Sequence, residues 1–379
     1  MHVARTRIAA AIGSVVLVAA GAIAVTGASH AGATPIATAV DTSAARGQKV
    51  LVDTDFGELN DDSQALYLLT QSGADVLGVT TVSGNVWTEE ATAYALRQLQ
   101  QVNLPAVPVY QGAADPLDGS RQFRQDAEAR TYGKLDYVGA WDHREPRSYQ
   151  DLAKAPYGGY AAKARNAGSA VDFIVDQIKA NPHEVTLFVL GPATNVAQAV
   201  TRHPEIVPLV KQVIYMNGAY SAPGNQGPAS EFNVWFDPHA SKIALNAPFP
   251  SVTIVPLDVT DTVSFGKAEY DRIVNASSTP ITDEFKAILG PQFATDPTYS
   301  TYVYDSIAAA IFLDPTLVSD SRLANIQVDD TQGVDFGRTL AYPPADAPVG
   351  TAEATIVERI DVPRFFDLFV QQMTAPIPV

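Results

Sequence analysis

An apolar stretch, Lys49-Val50-Leu51, runs directly into Val52-Asp53-Thr54-Asp55-Phe56-Gly57-Glu58-Leu59-Asn60-Asp61-Asp62. Four aspartates therefore crowd the mouth of what reads as a buried strand. Carboxylates this close repel one another and resist desolvation. A hard cation relieves both costs, and calcium or magnesium takes oxygen ligands of this kind. Helix capping is the competing explanation, because acids and amides suit a helix N-terminus. Capping accounts for Asn60 and Asp61 but not for Asp53 and Asp55 at the end of an apolar strand. The run points to a strand–loop–helix unit whose loop binds a metal ion.

Composition narrows the partners. Asp and Glu number 41 against 25 Lys and Arg. Such a surface speaks against binding a phosphate backbone, so no nucleic-acid partner is expected. With no cysteine in the chain, neither disulfides nor thiolate metal sites are available, and the core alone must hold the fold. Residues 1–33 carry Arg5 and Arg7, an apolar run from Ile8 to Val25, and the small exit Ala31-Gly32-Ala33. That is the pattern of a secretory signal peptide. An uncleaved anchor is the alternative, since the run approaches spanning length. The small-residue exit favours cleavage, giving a secreted protein with no stable membrane insertion. Residues 34–48 read as a flexible leader, and 49–379 as one folded domain.

From Lys49 onward, short apolar runs alternate with amphipathic stretches. Strands are expected at Val50–Val52, Asp75–Thr81, Val107–Tyr110, Val185–Leu190, Gln212–Met216 and Val252–Leu257. Helices are expected at Ser63–Leu69, Thr88–Leu99, Ser169–Ala180, Asn195–Arg202, Pro238–Leu245 and Asp305–Phe312, with two more within Lys267–Leu289. Strands at Ala324–Val328 and Ala354–Ile360 and a helix at Phe365–Gln372 close the chain. This alternation predicts the α/β class: an open, mostly parallel, doubly wound sheet with helices on both faces. Residues 113–166 break the rhythm and read as a long insertion, a possible lid. Ligands of such sheets bind at the carboxyl ends of the strands. Those ends offer Asp53 and Asp55, Ser83-Gly84-Asn85, Gly191 to Asn195, and Met216-Asn217-Gly218. Small, amide and acidic residues at several exits suggest one shared polyol pocket.

With these motifs the chain resembles the inosine–uridine-preferring nucleoside hydrolases from about Val50 to Leu317. The resemblance is carried by Asp53-Thr54-Asp55 with Asp61-Asp62, by Gly84-Asn85-Val86, and by Leu190-Gly191-Pro192-Ala193-Thr194-Asn195-Val196-Ala197. It continues through Gly224-Asn225, Ala229-Ser230-Glu231-Phe232-Asn233, Asp237-Pro238 and Leu257-Asp258-Val259-Thr260. The order and spacing of these motifs are specific; each alone is weak. The resemblance implies a Ca2+-dependent N-ribosidase that hydrolyses ribonucleosides to nucleobase and ribose. By similarity the metal ligands would be Asp55, Asp62, the backbone carbonyl of Thr194, and Asp305. Asp55 would also take a proton from the attacking water. Asp61, Asn85, Met216, Asn225, Glu231, Asn233 and Asp305 would hold the ribose. Members of the family are often homodimers or homotetramers.

The chain departs from the family pattern in two places. Three residues, Glu58-Leu59-Asn60, separate Gly57 from the Asp-Asp pair, where many members have one. Glu58 could be an extra ligand or a solvated turn residue. Second, Tyr304 stands before Asp305, where the best-known members carry the histidine that protonates the leaving base. A tyrosine has a reference pKa of about 10 and is a weaker acid. Proton donation, stacking on the base and packing beside Tyr302 are its three available roles. Among His143, His183, His203 and His239, only His143 lies in the insertion, where it reads as a surface residue or one that reaches the leaving base. Trp235 fits pocket or core. Two alternatives accompany the hydrolase: an enzyme on the same scaffold acting on another ribosylated or glycosylated small molecule, and a calcium-dependent ribose- or nucleoside-binding protein without turnover. Retention of Asp55 argues against the binder, which has no need of a base.

Overall fold

Strand β1 (Lys49–Thr54) is buried along its length after its first residue. Its side chains alternate, so Val50 and Val52 enter one apolar layer and Leu51 the other. Both faces of the sheet are thus covered, as the continuous apolar run requires. The computed structural model describes residues 40–133, 135, 137–227 and 229–377. The expected signal peptide and residues 34–39 of the leader lie outside them. Among the described residues no helix is long and apolar enough to cross a membrane.

After β1 come α1 (Asp61–Gln71), β2 (Asp75–Thr81), α2 (Thr88–Gln101) and β3 (Val109–Gln111). The 113–166 insertion carries α3 (Gln125–Tyr132). Alternation resumes with α4 (Ala170–Ala180), β4 (Thr186–Val189), α5 (Thr194–Arg202) and β5 (Gln212–Met216). Next are α6 (Phe232–Phe236), α7 (Pro238–Leu245), β6 (Val252–Val255), α8 (Leu257–Thr260), β7 (Ser264–Phe265), α9 (Lys267–Val274) and α10 (Pro280–Thr295). The chain ends with β8 (Thr301–Tyr302), α11 (Tyr304–Leu313), β9 (Val318–Val328), β10 (Thr339–Tyr342), β11 (Ala352–Ile360) and α12 (Val362–Thr374).

The main sheet has the order β10-β9-β11-β6-β5-β4-β1-β2-β3. It is parallel from β11 to β3, and β9 runs antiparallel to both β10 and β11. The chain winds outward from β1 through β2 to β3, then restarts on the other side with β4, β5 and β6. The winding reverses between β1 and β4, which opens a crevice at their carboxyl ends. Helices α1, α11 and α12 pack in one apolar layer, and α4, α5 and α7 in the other. A third, smaller cluster of Trp87, Ala140, Trp141, Phe232, Trp235 and Phe236 lies under the insertion. Trp235 is therefore core.

Several boundaries differ from the sequence expectation for local reasons. Strand β6 stops at Val255, because Pro256 has no N–H to continue the ladder, and Leu257–Thr260 turns into α8. Short β10 and the two-residue β7 and β8 carry too little apolar pattern to read. The segment from Val40 is docked: Val40 exchanges hydrogen bonds with the Gln371 side chain at 2.8 and 2.9 Å. Ala45 is buried, so the stretch expected as a flexible leader is packed from residue 40 onward.

A buried polar triad ties three helices together. Tyr67 of α1 donates to Glu284 of α10 at 2.5 Å, and Gln101 of α2 donates to Glu284 at 3.1 Å and to Tyr67 at 3.0 Å. Burial pushes the Glu284 carboxyl from 4.5 up to about 7, against the two hydrogen bonds that favour its charge. The folded protein thus favours the protonated form. That stabilisation is present in full below pH 4.5 and is lost as pH rises through about 7. Glu284→Gln is expected to remove up to roughly 3 kcal/mol of the decline in unfolding free energy over this window. Urea denaturation at a series of pH values reads it; an unchanged pH slope contradicts it.

Candidate active site

The crevice between β1 and β4 is built by residues that fold for local reasons. Asn60 caps α1, accepting from Ser63 N at 3.3 Å, and places Asp61 and Asp62 in the first turn. Capping and ligand geometry thus coexist in one loop. Asp53 faces inward and accepts from Thr80 Oγ1 at 2.5 Å and Asn195 Nδ2 at 2.8 Å. Asn195 also donates to Thr81 O and accepts from Ala113 N, both at 2.9 Å. Asp53 is therefore a buckle between β1, β2 and α5, and burial lifts its carboxyl to about 7.

Asp55 sits at the crevice floor, fully buried. Two glycines make room for it. A Cβ on Gly84 would lie 2.0 Å from Asp55 Oδ2, and one on Gly191 would lie 2.7 Å from Asp55 Oδ1. Oδ2 accepts from Asn85 N at 2.5 Å, while Oδ1 is buried with no hydrogen-bond partner. Asp62 accepts from the Thr54 hydroxyl, from Asn60 Nδ2 at 2.6 Å and from Asn85 Nδ2 at 3.3 Å. Oxygens of Asp61, Asp62 and Asp305 lie within 4.8 Å of one another. Asp305, at the start of α11, is buried and also has an unpartnered Oδ1.

Electrostatics express the crowding. Burial, then the charges of Asp62 and Asp61, hold Asp55 well above the ordinary carboxyl range. Burial and the charges of Asp62, Asp61 and Asp55 do the same to Asp305. Asp62 is raised by burial, and Asp61 is pushed up to about 7 by burial and by Asp62. Two orphaned carboxylate oxygens, an all-oxygen donor set and a glycine cradle fit a hard divalent cation. Asp55, Asp61, Asp62 and Asp305 are the side chains able to hold it. Thr194 opens α5 beyond β4, and its hydroxyl donates to Asp237 at 2.8 Å.

A cavity of about 460 Å³ opens over this cluster. Asp61, Asn85, Met216, Asn225, Glu231, Asn233, Tyr304 and Asp305 line it, whereas Asp55, Asp62 and Thr194 are not among its lining residues. Glu231 caps α6, accepting from Gly218 N, Asn233 N and Val234 N at 3.1, 2.8 and 3.2 Å, and burial lifts it to about 7. Asn233 donates to the carbonyls of Leu190 and Met216 at 2.8 and 3.1 Å, fastening β4 to β5. Asp258 accepts from the backbone N–H of Tyr220, Ser221 and Ala222, which shapes the loop that carries Asn225.

The two departures acquire geometry. Glu58 accepts from Lys154 Nζ and Tyr157 N, each at 2.6 Å, so it clamps the insertion. Tyr304 stacks on Tyr302 with centroids 4.8 Å apart and donates its hydroxyl to Asp261 at 3.0 Å. Burial and Asp261 raise its phenol above the ordinary range. His143 pairs with Glu90 at 2.9 Å and is half-exposed outside the cavity. Sequence reasoning missed Tyr137, Gln226, Phe232, Thr301 and Tyr302 as lining residues. Phe232 had a signal, being inside the quoted Glu-Phe-Asn motif; Tyr137 had none, because the insertion has no period.

An acid cluster at the winding reversal of a parallel sheet, beneath an amide-lined cavity, is the arrangement of an α/β-class protein with a ligand site at the carboxyl ends of its strands. The sequence matches the inosine-uridine preferring nucleoside hydrolase family over residues 50–367, and the chain belongs to that family. It is an N-glycosyl hydrolase. It is 28% identical to uridine nucleosidase 1 of Arabidopsis thaliana, over 77% of this chain and 81% of that one. It is 26% identical to a pyrimidine-specific ribonucleoside hydrolase of Escherichia coli, over 77% and 87% of the two chains. Among solved structures, a plant nucleoside hydrolase superposes with a TM-score of 0.70 at 24% identity, covering 87% of this chain and all of that one. A purine-preferring ribonucleoside hydrolase from Gardnerella vaginalis gives 0.67 at 25% identity, covering 86% and 98%.

Asp237 of the Asp-Pro motif supports the site from beneath. It accepts from Ala240 N, Leu117 N and Thr194 Oγ1 at 3.0, 2.8 and 2.8 Å while buried. Asp237→Ala removes a helix cap and strands two buried donors. The expected loss is roughly 3 kcal/mol or more of unfolding free energy. Urea denaturation reads it, and a loss below about 1 kcal/mol contradicts the role.

Proposed function

We propose that this protein is a secreted, calcium-dependent hydrolase of the N-glycosidic bond of ribonucleosides, releasing nucleobase and ribose. The observation that carries the reading is the amide- and acid-lined cavity set directly over buried carboxylate oxygens that lack partners. Asp55, Asp62, Asp305 and the Thr194 carbonyl would hold the ion. A mixed carboxylate and carbonyl set suits the larger, more flexible shell of calcium. Calcium held by these residues would supply Lewis-acid polarisation of a water and a charge toward which ribose hydroxyls could orient. The pattern of residues 1–33 supports secretion.

The chain's own residues divide the remaining work. Asp55, held through Oδ2 by Asn85 N, is the carboxylate that would receive the proton of the attacking water. Cleavage of an N-glycosidic bond builds positive charge on the ribose, and Asp61 and Glu231 line the space where it develops. Asn233 spends its N–H groups on the backbone, which leaves its carbonyl oxygen to accept from a hydroxyl. Asn85, Asn225, Met216 and Asp305 complete the ribose wall. One observation favours the second reading, another ribosylated small molecule as substrate. Tyr304 already donates its hydroxyl hydrogen bond to Asp261, so it presents a ring wall rather than a free donor to the leaving group.

Reducing-sugar release from a panel of ribonucleosides tests the proposal. Turnover is expected with calcium and is expected to stop with a chelator. Asp55→Asn should lower kcat by a factor of about 10² to 10⁴ while nucleoside still binds. The 2′-deoxy analogues should fall by on the order of a thousandfold or more, because the groups built for the hydroxyl are left unpaired. Binding without turnover in the wild type would leave only the binder. Turnover of a non-nucleoside riboside alone would establish the second reading.

A further inference from the structure

Tyr137 belongs to the insertion, far from any motif, yet it reaches across the cavity. Its hydroxyl donates to Asn85 Oδ1 at 2.9 Å and approaches Asn85 O at 3.3 Å. The same Asn85 donates Nδ2 to Asp62 Oδ2 at 3.3 Å and its backbone N–H to Asp55 Oδ2 at 2.5 Å. The Tyr137 ring packs on Phe232, centroids 5.0 Å apart, and its carbonyl accepts from the Gln226 side chain. Three residues further on, Ala140 N donates to Gly84 O at 2.8 Å. The insertion is thus fastened to the β2 exit on one side and to the loop before α6 on the other.

An amide side chain has one accepting and one donating end, and nothing in its shape fixes which way it faces. The Asp62 carboxylate, which when charged only accepts, takes the donating end. The hydroxyl of Tyr137, able to donate or accept, then donates to the other end and holds the side chain in that place. We infer that Tyr137 is a positioning residue: its hydroxyl holds the Asn85 side chain at the cavity wall with the donor end of the amide toward the acid cluster. The Tyr137 side chain is 48 % exposed, so its outer edge faces solvent while its hydroxyl reaches Asn85. This inference rests on the proposed ribose-holding role of Asn85.

A double-mutant cycle on the full chain tests it. Wild-type release of ribose is measured first; its absence refutes the hydrolase reading and not the contact between the two residues. Tyr137→Phe keeps the ring on Phe232 and removes the hydroxyl. It is expected to raise KM for a ribonucleoside about five- to tenfold, the scale of one neutral hydrogen bond, with kcat within about threefold of wild type. In an Asn85→Ala background the same change is expected to have no further effect, because the residue acts through Asn85. Melting temperatures of all four proteins separate this from simple unfolding. A Tyr137→Phe variant with unchanged KM, or effects that multiply independently of Asn85, overturns the inference.

Discussion

The repulsion among buried carboxyls is the constraint on which this structure turns. Asp55, Asp61, Asp62 and Asp305 converge from a strand exit, the first turn of one helix and a helix more than two hundred residues later. Without a positive partner each is driven toward protonation by burial and by its neighbours. A fold does not assemble such a cluster for stability, because each buried carboxylate costs free energy that packing must offset. A cation would relieve that cost, and the rest of the architecture holds the four acids where one could bind. The winding reversal between β1 and β4 opens the space. Gly84 and Gly191 let backbone approach Asp55.

Around the cluster, motif residues divide into those that face the ligand and those that hold them. Asp53, Asn195, Asp237 and Asp258 carry the family signatures as visibly as Asp55 does. Their side chains nevertheless end on backbone N–H groups, hydroxyls and amides of the scaffold. The insertion adds a second layer. Glu58 clamps one part of it from within the acidic loop, and Asn85 receives another part through Tyr137. Of the residues that lengthen the acidic motif, Glu58 reaches the insertion while Asn60 caps α1 and Leu59 packs in the core. Glu58 itself holds the insertion; its carboxylate oxygens are taken by Lys154 and Tyr157.

Much of this was legible in the sequence, and the gaps have physical causes. Strands buried on both faces announce themselves as apolar runs, so β1, β2, β4 and β5 and the polar residues at their exits could be read directly. The lining residues expected from strand exits, Asn85 and Met216, do meet in one cavity. Asn225, Glu231 and Asn233 followed only from the resemblance, because the loop and short helix that carry them have no period of their own. Tyr137 and Tyr302 escaped for the same reason: one lies in the aperiodic insertion, the other in a two-residue strand. Sequence could name Tyr304 as a departure but not show its hydroxyl turned to Asp261. That contact depends on a partner forty-three positions away.

Calorimetric titration of the metal-free protein with calcium tests the central claim most directly. The account predicts saturable binding of one ion per chain. It also predicts that Asp62→Asn and Asp305→Asn each weaken binding by at least about tenfold, because each removes a charged ligand from a shared shell. Absence of saturable binding, or an affinity indifferent to both substitutions, would contradict it.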